Sequence, residues 1–148
     1  MKKNKIKVFD GFGRIKQDKT VEITNDKESF EISAKNIIVS TGARSRDIES
    51  LKKDGKKIFG YRDAMTLEEQ PKEMVIVGSG AIGIEFAYFY NALGTNVTVV
   101  EFQNGIAPNE DHDISKELEK ILKKKGIYVL TNSKVVSSII VDNIVEVD

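Results

Sequence analysis

The chain of 148 residues has no cysteine and no tryptophan, only two prolines and a single histidine. Without cysteine there can be no disulfide, no thiolate metal site and no thiol nucleophile within these residues. His112 lies in the polar run Asn109–Asp113 and has no partner at ligand spacing, so it reads as a solvated loop residue near a helix start and no metal site is expected. The 23 basic and 23 acidic residues cancel. That balance gives no broad field to attract nucleic acid or an anionic membrane surface. No stretch approaches the roughly 20 apolar residues of a membrane span. The basic N-terminus runs into alternating residues and not into an apolar signal core, so a cytoplasmic protein is expected.

What is present is ordinary globular composition, 40% apolar and 31% charged. The first part reads as β structure. Ile6 and Val8 alternate with lysines, Gly11–Gly13 marks a turn, and Thr20–Ile23 alternates again. Phe30–Ile32 suggests a third strand. Asn36–Ser40 is a continuous apolar run ending at Thr41-Gly42, the pattern of a buried strand. Residues 45–71 are charged and weakly periodic, and are expected to form a connection with one short helix near Asp63–Glu69, capped by Asp63 or Thr66 and stopped by Pro71.

From residue 72 the pattern alternates between β and α. Met74–Val77 is a short buried strand. A helix follows over Ala81–Leu93 with Ile82, Phe86, Phe89 and Leu93 on its apolar face, and Gly94 ends it. Asn96–Val100 is the next strand, with Glu101 at its carboxyl end. A second helix spans Asp113–Lys125, with Ile114, Leu118, Ile121 and Leu122 as its buried stripe, three lysines in its last turn and Gly126 beyond. Ile127–Leu130 is a third strand, and Val135–Val147 supplies one or two more.

Between the first of these strands and its helix stands Gly78-Ser79-Gly80-Ala81-Ile82-Gly83, a G-x-G-x-x-G pattern. Alone it is weak, since three fixed glycines arise by chance in roughly one chain in twenty of this length. Its context is the argument: a strand ends just before it, a helix starts within it, and an acid closes a second strand roughly 20 residues on. Gly78 permits the tight turn, Gly80 lets backbone approach a diphosphate, and Gly83 lets helix and sheet pack closely. The free amides of the helix's first turn would face the phosphates. Glu101 would accept hydrogen bonds from both hydroxyls of the adenine ribose. It would also repel a 2′-phosphate, by about 4 kcal/mol per unit charge at an effective dielectric near 20. No arginine follows it, so NAD is favoured over NADP. Glu85 is either a helix-stabilising carboxylate or one aimed at the bound cofactor. The bland alternative is a glycine-rich turn that binds nothing.

Four stretches together go further: Gly11–Ile15, Asn36–Arg44, Val75–Ala87 and Val97–Glu101. In them the chain resembles the pyridine-nucleotide disulfide oxidoreductases, and among these most the dihydrolipoamide dehydrogenases. The resemblance implies an α/β fold: a Rossmann-type βαβαβ NAD-binding unit over residues 72–148, preceded over residues 1–44 by a small antiparallel β-meander from a partial FAD domain. It implies that Gly78, Ser79, Gly80, Ala81, Ile82, Gly83 and Glu101 bind NAD, that Glu85 faces the nicotinamide, and that the Val135 backbone lines the adenine pocket. It also implies that Gly13, Ser40, Thr41 and Gly42 approach FAD.

The family oxidises dihydrolipoamide with NAD⁺ through a disulfide and the flavin, as a homodimer serving the lipoyl domains of 2-oxo acid dehydrogenase complexes. This sequence departs from it in lacking the cysteine pair, the N-terminal FAD fingerprint and the C-terminal His-Glu pair, so no catalytic residue is assigned. An internal fragment, inactive alone and prone to self-association, is therefore expected. A sibling NADH oxidase or coenzyme A disulfide reductase, and a non-catalytic dinucleotide-binding module, are the alternatives.

Overall fold

A computed structural model describes residues 1–148, with the exception of the Lys2 side chain. The chain divides into two compact units, Met1–Ala43 and Arg44–Asp148.

The first unit is an antiparallel meander of β1 (Phe12–Ile15), β2 (Thr20–Thr24) and β3 (Ser29–Ser33). Pairing runs Phe12↔Thr24 and Ile15↔Val21 on one side of β2, and Thr20↔Ser33 and Thr24↔Ser29 on the other. Its middle strand buries Thr20 and Ile23, which lie three residues apart and so on opposite faces of the sheet. The hairpin between β2 and β3 is fixed by Asn25, whose side-chain oxygen accepts from the amides of Lys27 and Glu28.

Two sequence expectations fail here. The alternation of Ile6 and Val8 forms no strand, and the first strand instead starts at Phe12 in the stretch read as a turn. Asn36–Ser40 is not a buried strand either, because it pairs with no strand among the described residues and leaves Ile38 90% and Val39 64% exposed. A continuous apolar run becomes a central strand only where neighbours offer backbone partners on both sides.

In the second unit, α1 (Tyr61–Ala64) is a single turn whose Asp63 carboxylate accepts from the Gly60 amide. It starts and ends earlier than the sequence suggests. The parallel sheet has the order β4-β5-β6, from β4 (Glu73–Val77), β5 (Asn96–Val100) and β6 (Tyr128–Leu130). Helices α2 (Ala81–Ala92) and α3 (His112–Lys124) make the crossovers that parallel neighbours require. A final hairpin pairs β7 (Ser138–Val141) with β8 (Ile144–Val147). Asp142 and Asn143, both at positive φ, form its two-residue turn. Gly94 and Gly126 follow α2 and α3 at φ +98° and +88°, the left-handed backbone that ends a helix.

The core gathers Ala87 and Tyr90 of α2, Val97 and Val99 of β5, Leu122 of α3, and Ile106, Ile127 and Val129. Residues preceding β4 are tied to it. The buried Tyr90 hydroxyl donates to the Ala64 carbonyl at 2.5 Å, and Gln70 donates to the Leu93 carbonyl at the end of α2.

The helix faces differ in part from the sequence expectation: Phe86 of α2 and Leu118 and Leu122 of α3 pack on the core as expected. On α2, Ile82, Phe89 and Leu93 are each about half exposed, and Ala87 and Tyr90 face the sheet. On α3, Ile114 and Ile121 are turned outward, and Ser115, Leu118 and Leu122 face inward. The helix α2 is apolar nearly all round, so periodicity cannot choose its inner face. Gly83 chooses it: a Cβ there would lie 2.1 Å from the Gly78 carbonyl oxygen, and only a glycine can sit at that contact.

Candidate functional site

The glycine turn joins the carboxyl end of β4 to the amino end of α2. Gly78 continues the ladder by donating to the Val100 carbonyl at 2.8 Å, then turns at φ +102°, a conformation that favours glycine. Gly80 occupies the position before α2 in extended backbone, and no side chain caps the helix. A Cβ added at Gly80 would meet no protein atom within 4 Å, so the space in front of the helix is open. Open space, a missing side chain and an uncapped helix start fit a diphosphate, which needs bare amides and close backbone approach.

Glu101 follows the last residue of β5, the strand beside β4. Its backbone amide donates to the Leu130 carbonyl and its carbonyl accepts from Ser133, which fixes the residue against the end of β6. The side chain is only 3% exposed and turns toward the glycine turn. Its Oε2 accepts from the Ser79 amide at 2.8 Å and from the Ser79 hydroxyl at 2.7 Å, and its Oε1 accepts from the Gln103 amide at 2.9 Å. Burial pushes this carboxyl upward. The Ser79 hydroxyl, then the amides of Gln103, Ser79 and Phe102, more than offset burial and hold it below its ordinary value. A charged carboxylate therefore sits against the glycine turn at neutral pH.

Ser79 has no exposed surface. Beyond its two bonds to Glu101, its carbonyl accepts from the Ala107 amide at 3.0 Å, and the Ala107 carbonyl accepts from the Ser115 hydroxyl at 3.1 Å. Ala107 holds φ +44°, a left-handed conformation in an alanine, with Pro108 directly after it. The loop after β5 is thus clasped to the turn after β4. Sequence reasoning singled out Ser79 as part of the glycine pattern and Glu101 as its acid, but not the bond between them. Gln103 and Ala107 carried no signal of their own: the Gln103 amide bond is a local one, two residues from Glu101, that any residue there could supply, and the Ala107 amide finds its partner by tertiary contact.

The structure brings Gly78 through Gly83 and Glu101 together at one corner. Glu85 stands exposed on α2 one turn beyond Ala81. The Val135 side chain is buried, and its carbonyl accepts from the Ser50 hydroxyl at 3.0 Å, two residues past the Ser133 that binds the Glu101 backbone. In the first unit, Gly13 lies in β1, where a Cβ would make an ordinary 3.6 Å contact with Val21. Ser40, Thr41 and Gly42 are exposed on the segment outside the strands. These four residues enclose nothing within their unit and do not by themselves fit a flavin. Among the described residues, no group of three or more His, Cys, Asp or Glu could hold a metal ion, and no helix is long and apolar enough to cross a membrane.

The comparisons agree with one another. A family model described as pyridine nucleotide-disulphide oxidoreductase matches residues 1–147. The dihydrolipoyl dehydrogenase of Bacillus subtilis (strain 168) is 42% identical over 144 residues, which cover 91% of this chain and 30% of that protein. That of Zymomonas mobilis is 42% identical over 135 residues, covering 90% and 29%. Among solved structures, LpdA from Mycobacterium tuberculosis superposes with a TM-score of 0.70 at 32% identity, covering 86% of this chain and 28% of that one. The HOCl-induced flavoprotein disulfide reductase RclA from Escherichia coli gives a TM-score of 0.70 at 26% identity, covering 96% and 32%. The chain thus spans about three tenths of the length of the curated relatives it matches.

Proposed function

Because the chain belongs to the pyridine nucleotide-disulphide oxidoreductase family, we propose that residues 72–148 are the NAD(H)-binding part of an enzyme like dihydrolipoyl dehydrogenase. The observation that carries this reading is the buried, ionised Glu101 carboxylate held against a glycine turn that opens an uncapped helix.

In this reading the amides at the start of α2 bind the diphosphate, with the helix dipole adding a positive partial charge. Glu101 accepts from the adenine ribose and disfavours a 2′-phosphate by charge repulsion. Gly80 supplies the space, and Ala81 and Ile82 complete the first turn. Glu85 lies one turn along α2 toward the nicotinamide, and the Val135 backbone borders the adenine. NAD⁺, when bound, is the hydride acceptor of the reaction. The reading also assigns Gly13, Ser40, Thr41 and Gly42 to the neighbourhood of FAD.

The thiol exchange with dihydrolipoamide has no cysteine to occur on in these 148 residues. The chain by itself is therefore proposed to bind nucleotide without turning over dihydrolipoamide. The homodimer and the lipoyl-domain partners belong to the same proposal for the whole enzyme.

The test is a pair of thermal-shift titrations with NADH and NADPH. NADH at 100 times its Kd should add about 2.7 kcal/mol to the folded state. Glu101→Ala should weaken NADH by about 1.5–3 kcal/mol, the range for hydrogen bonds to a charged group, and should weaken NADPH much less. A folded wild type with no shift refutes the nucleotide role; equal losses for the two nucleotides refute the ribose assignment.

A further inference from the structure

A carboxylate offers about four acceptor positions. In Glu101, Ser79 takes two of them on Oε2 and the Gln103 amide takes one on Oε1. Oε2 is thereby filled, and what acceptor capacity is left to a ligand lies on Oε1; the Phe102 amide also faces the carboxylate. The expectation that Glu101 grips both ribose hydroxyls therefore meets a competitor in the chain itself. The Ser79 amide bond follows from the course of the glycine turn and any residue there would supply it. The hydroxyl bond is particular to serine. It is also enclosed: Ser79 has no exposed surface, and its carbonyl is held by Ala107.

We propose that Ser79 is a positioning residue for the nucleotide site: its hydroxyl holds the Oε2 edge of Glu101 against the glycine turn, so that Oε1 alone is presented to one ribose hydroxyl. This rests on the nucleotide reading above. The clasp also bears on charge. Burial favours the neutral carboxylic acid, and the Ser79 hydroxyl is the largest of the opposing hydrogen bonds. Ser79, Phe102 and Gln103 face the carboxylate from the two adjoining segments, and β6 reaches only its backbone. None of these groups titrates, and the leading causes of its shift are burial and these hydrogen bonds.

A carboxyl held below its ordinary value stays ionised through the ordinary glutamate range and loses its charge only as pH falls through the lower folded value. Without the Ser79 hydroxyl, burial acts with less opposition and protonation begins at higher pH.

Calorimetric titration of the full chain with NAD⁺ between pH 4 and 8 separates the outcomes. Wild type should lose affinity only at the acid end. Glu101→Gln, which cannot ionise, should bind weakly with no acid limb. Ser79→Ala should bind roughly tenfold more weakly at neutral pH, as expected for one lost hydrogen bond to a charged group, and its acid limb should begin at higher pH. Ser79→Thr keeps the hydroxyl and should keep the wild-type limb. If Ser79→Ala does not fold, Ser79→Cys fills the same place with a weaker donor and carries the same expected shift. A Ser79 variant that lacks the hydroxyl yet matches wild type in affinity and limb overturns the proposal, as does a wild-type limb in Glu101→Gln. A folded wild type that binds no NAD⁺ overturns the nucleotide reading itself, and the positioning role with it.

Discussion

At the scale of single residues, the site depends on positions where a side chain is forbidden as much as on those where one acts. Gly83 faces the Gly78 carbonyl so closely that a Cβ would approach its oxygen to 2.1 Å, and the obstacle is backbone that cannot swing away. Gly83→Ala should therefore push α2 off the sheet, costing about 3 kcal/mol as an overpacked contact, and should remove NADH binding. Urea denaturation measures the first effect and a nucleotide titration the second. An alanine variant as stable as wild type would mean that the helix is not seated on this glycine. Gly80→Ala makes the contrast, because a Cβ there meets no protein atom within 4 Å. Its effect should fall on the nucleotide and not on the fold.

At the scale of elements, each crossover helix carries apolar residues on both its inner and its outer face. Leu122 is 2% exposed beneath α3 and Ile114, on the same helix, is 62% exposed. Leu122→Ala should cost about 2–5 kcal/mol, whereas Ile114→Ala should change stability by no more than about 0.5 kcal/mol. Chemical denaturation of the two variants checks both values, and similar losses would place the inner face elsewhere.

The strands β5 and β6, both helices and the glycine turn were legible within a residue or two. Gly94 and Gly126, the lysines closing α3 and the acid after β5 are local signals with local causes. The inner faces were legible only in part: Phe86, Leu118 and Leu122 pack on the core as their spacing suggests, but Ile82, Phe89 and Leu93 are apolar whichever way α2 turns. Asn36–Ser40 misled for the same reason: it has the composition of a central strand but finds no backbone partner among the described residues. At the site, the pairing of glycine turn and Glu101 could be read from spacing. The Ser79 hydroxyl bond and the left-handed Ala107 depend on how one loop folds back on another, which spacing does not encode.

At the scale of the whole molecule, the apolar surface left uncovered becomes the governing quantity. In the first unit Phe12 is 77%, Ile38 90% and Val39 64% exposed. In the second, Ile139, Ile140, Val141 and Ile144 are all between 42% and 65% exposed on the β7–β8 hairpin; Ile139, Val141 and Ile144 share its open face, and the other face, with Val145 and Val147, is half-buried. A two-stranded hairpin is marginal on its own in water, and its open edges can pair with another chain. Contiguous exposed apolar surface favours association in the same direction. With equal numbers of positive and negative residues, the net charge offers no long-range repulsion to oppose contact. The chain is therefore expected to self-associate as its concentration rises, seen as an increase in mass by light scattering. Replacing Ile38 and Val39 with lysine should lower the association at unchanged fold, since neither side chain is part of the core, and replacing Ile140 and Ile144 should do so at the hairpin. A single monomeric mass across the accessible concentrations would show that these side chains are screened from contact, and the prediction would fail. If only the hairpin variants change the mass, association runs through strand edges and not through the segment after the meander.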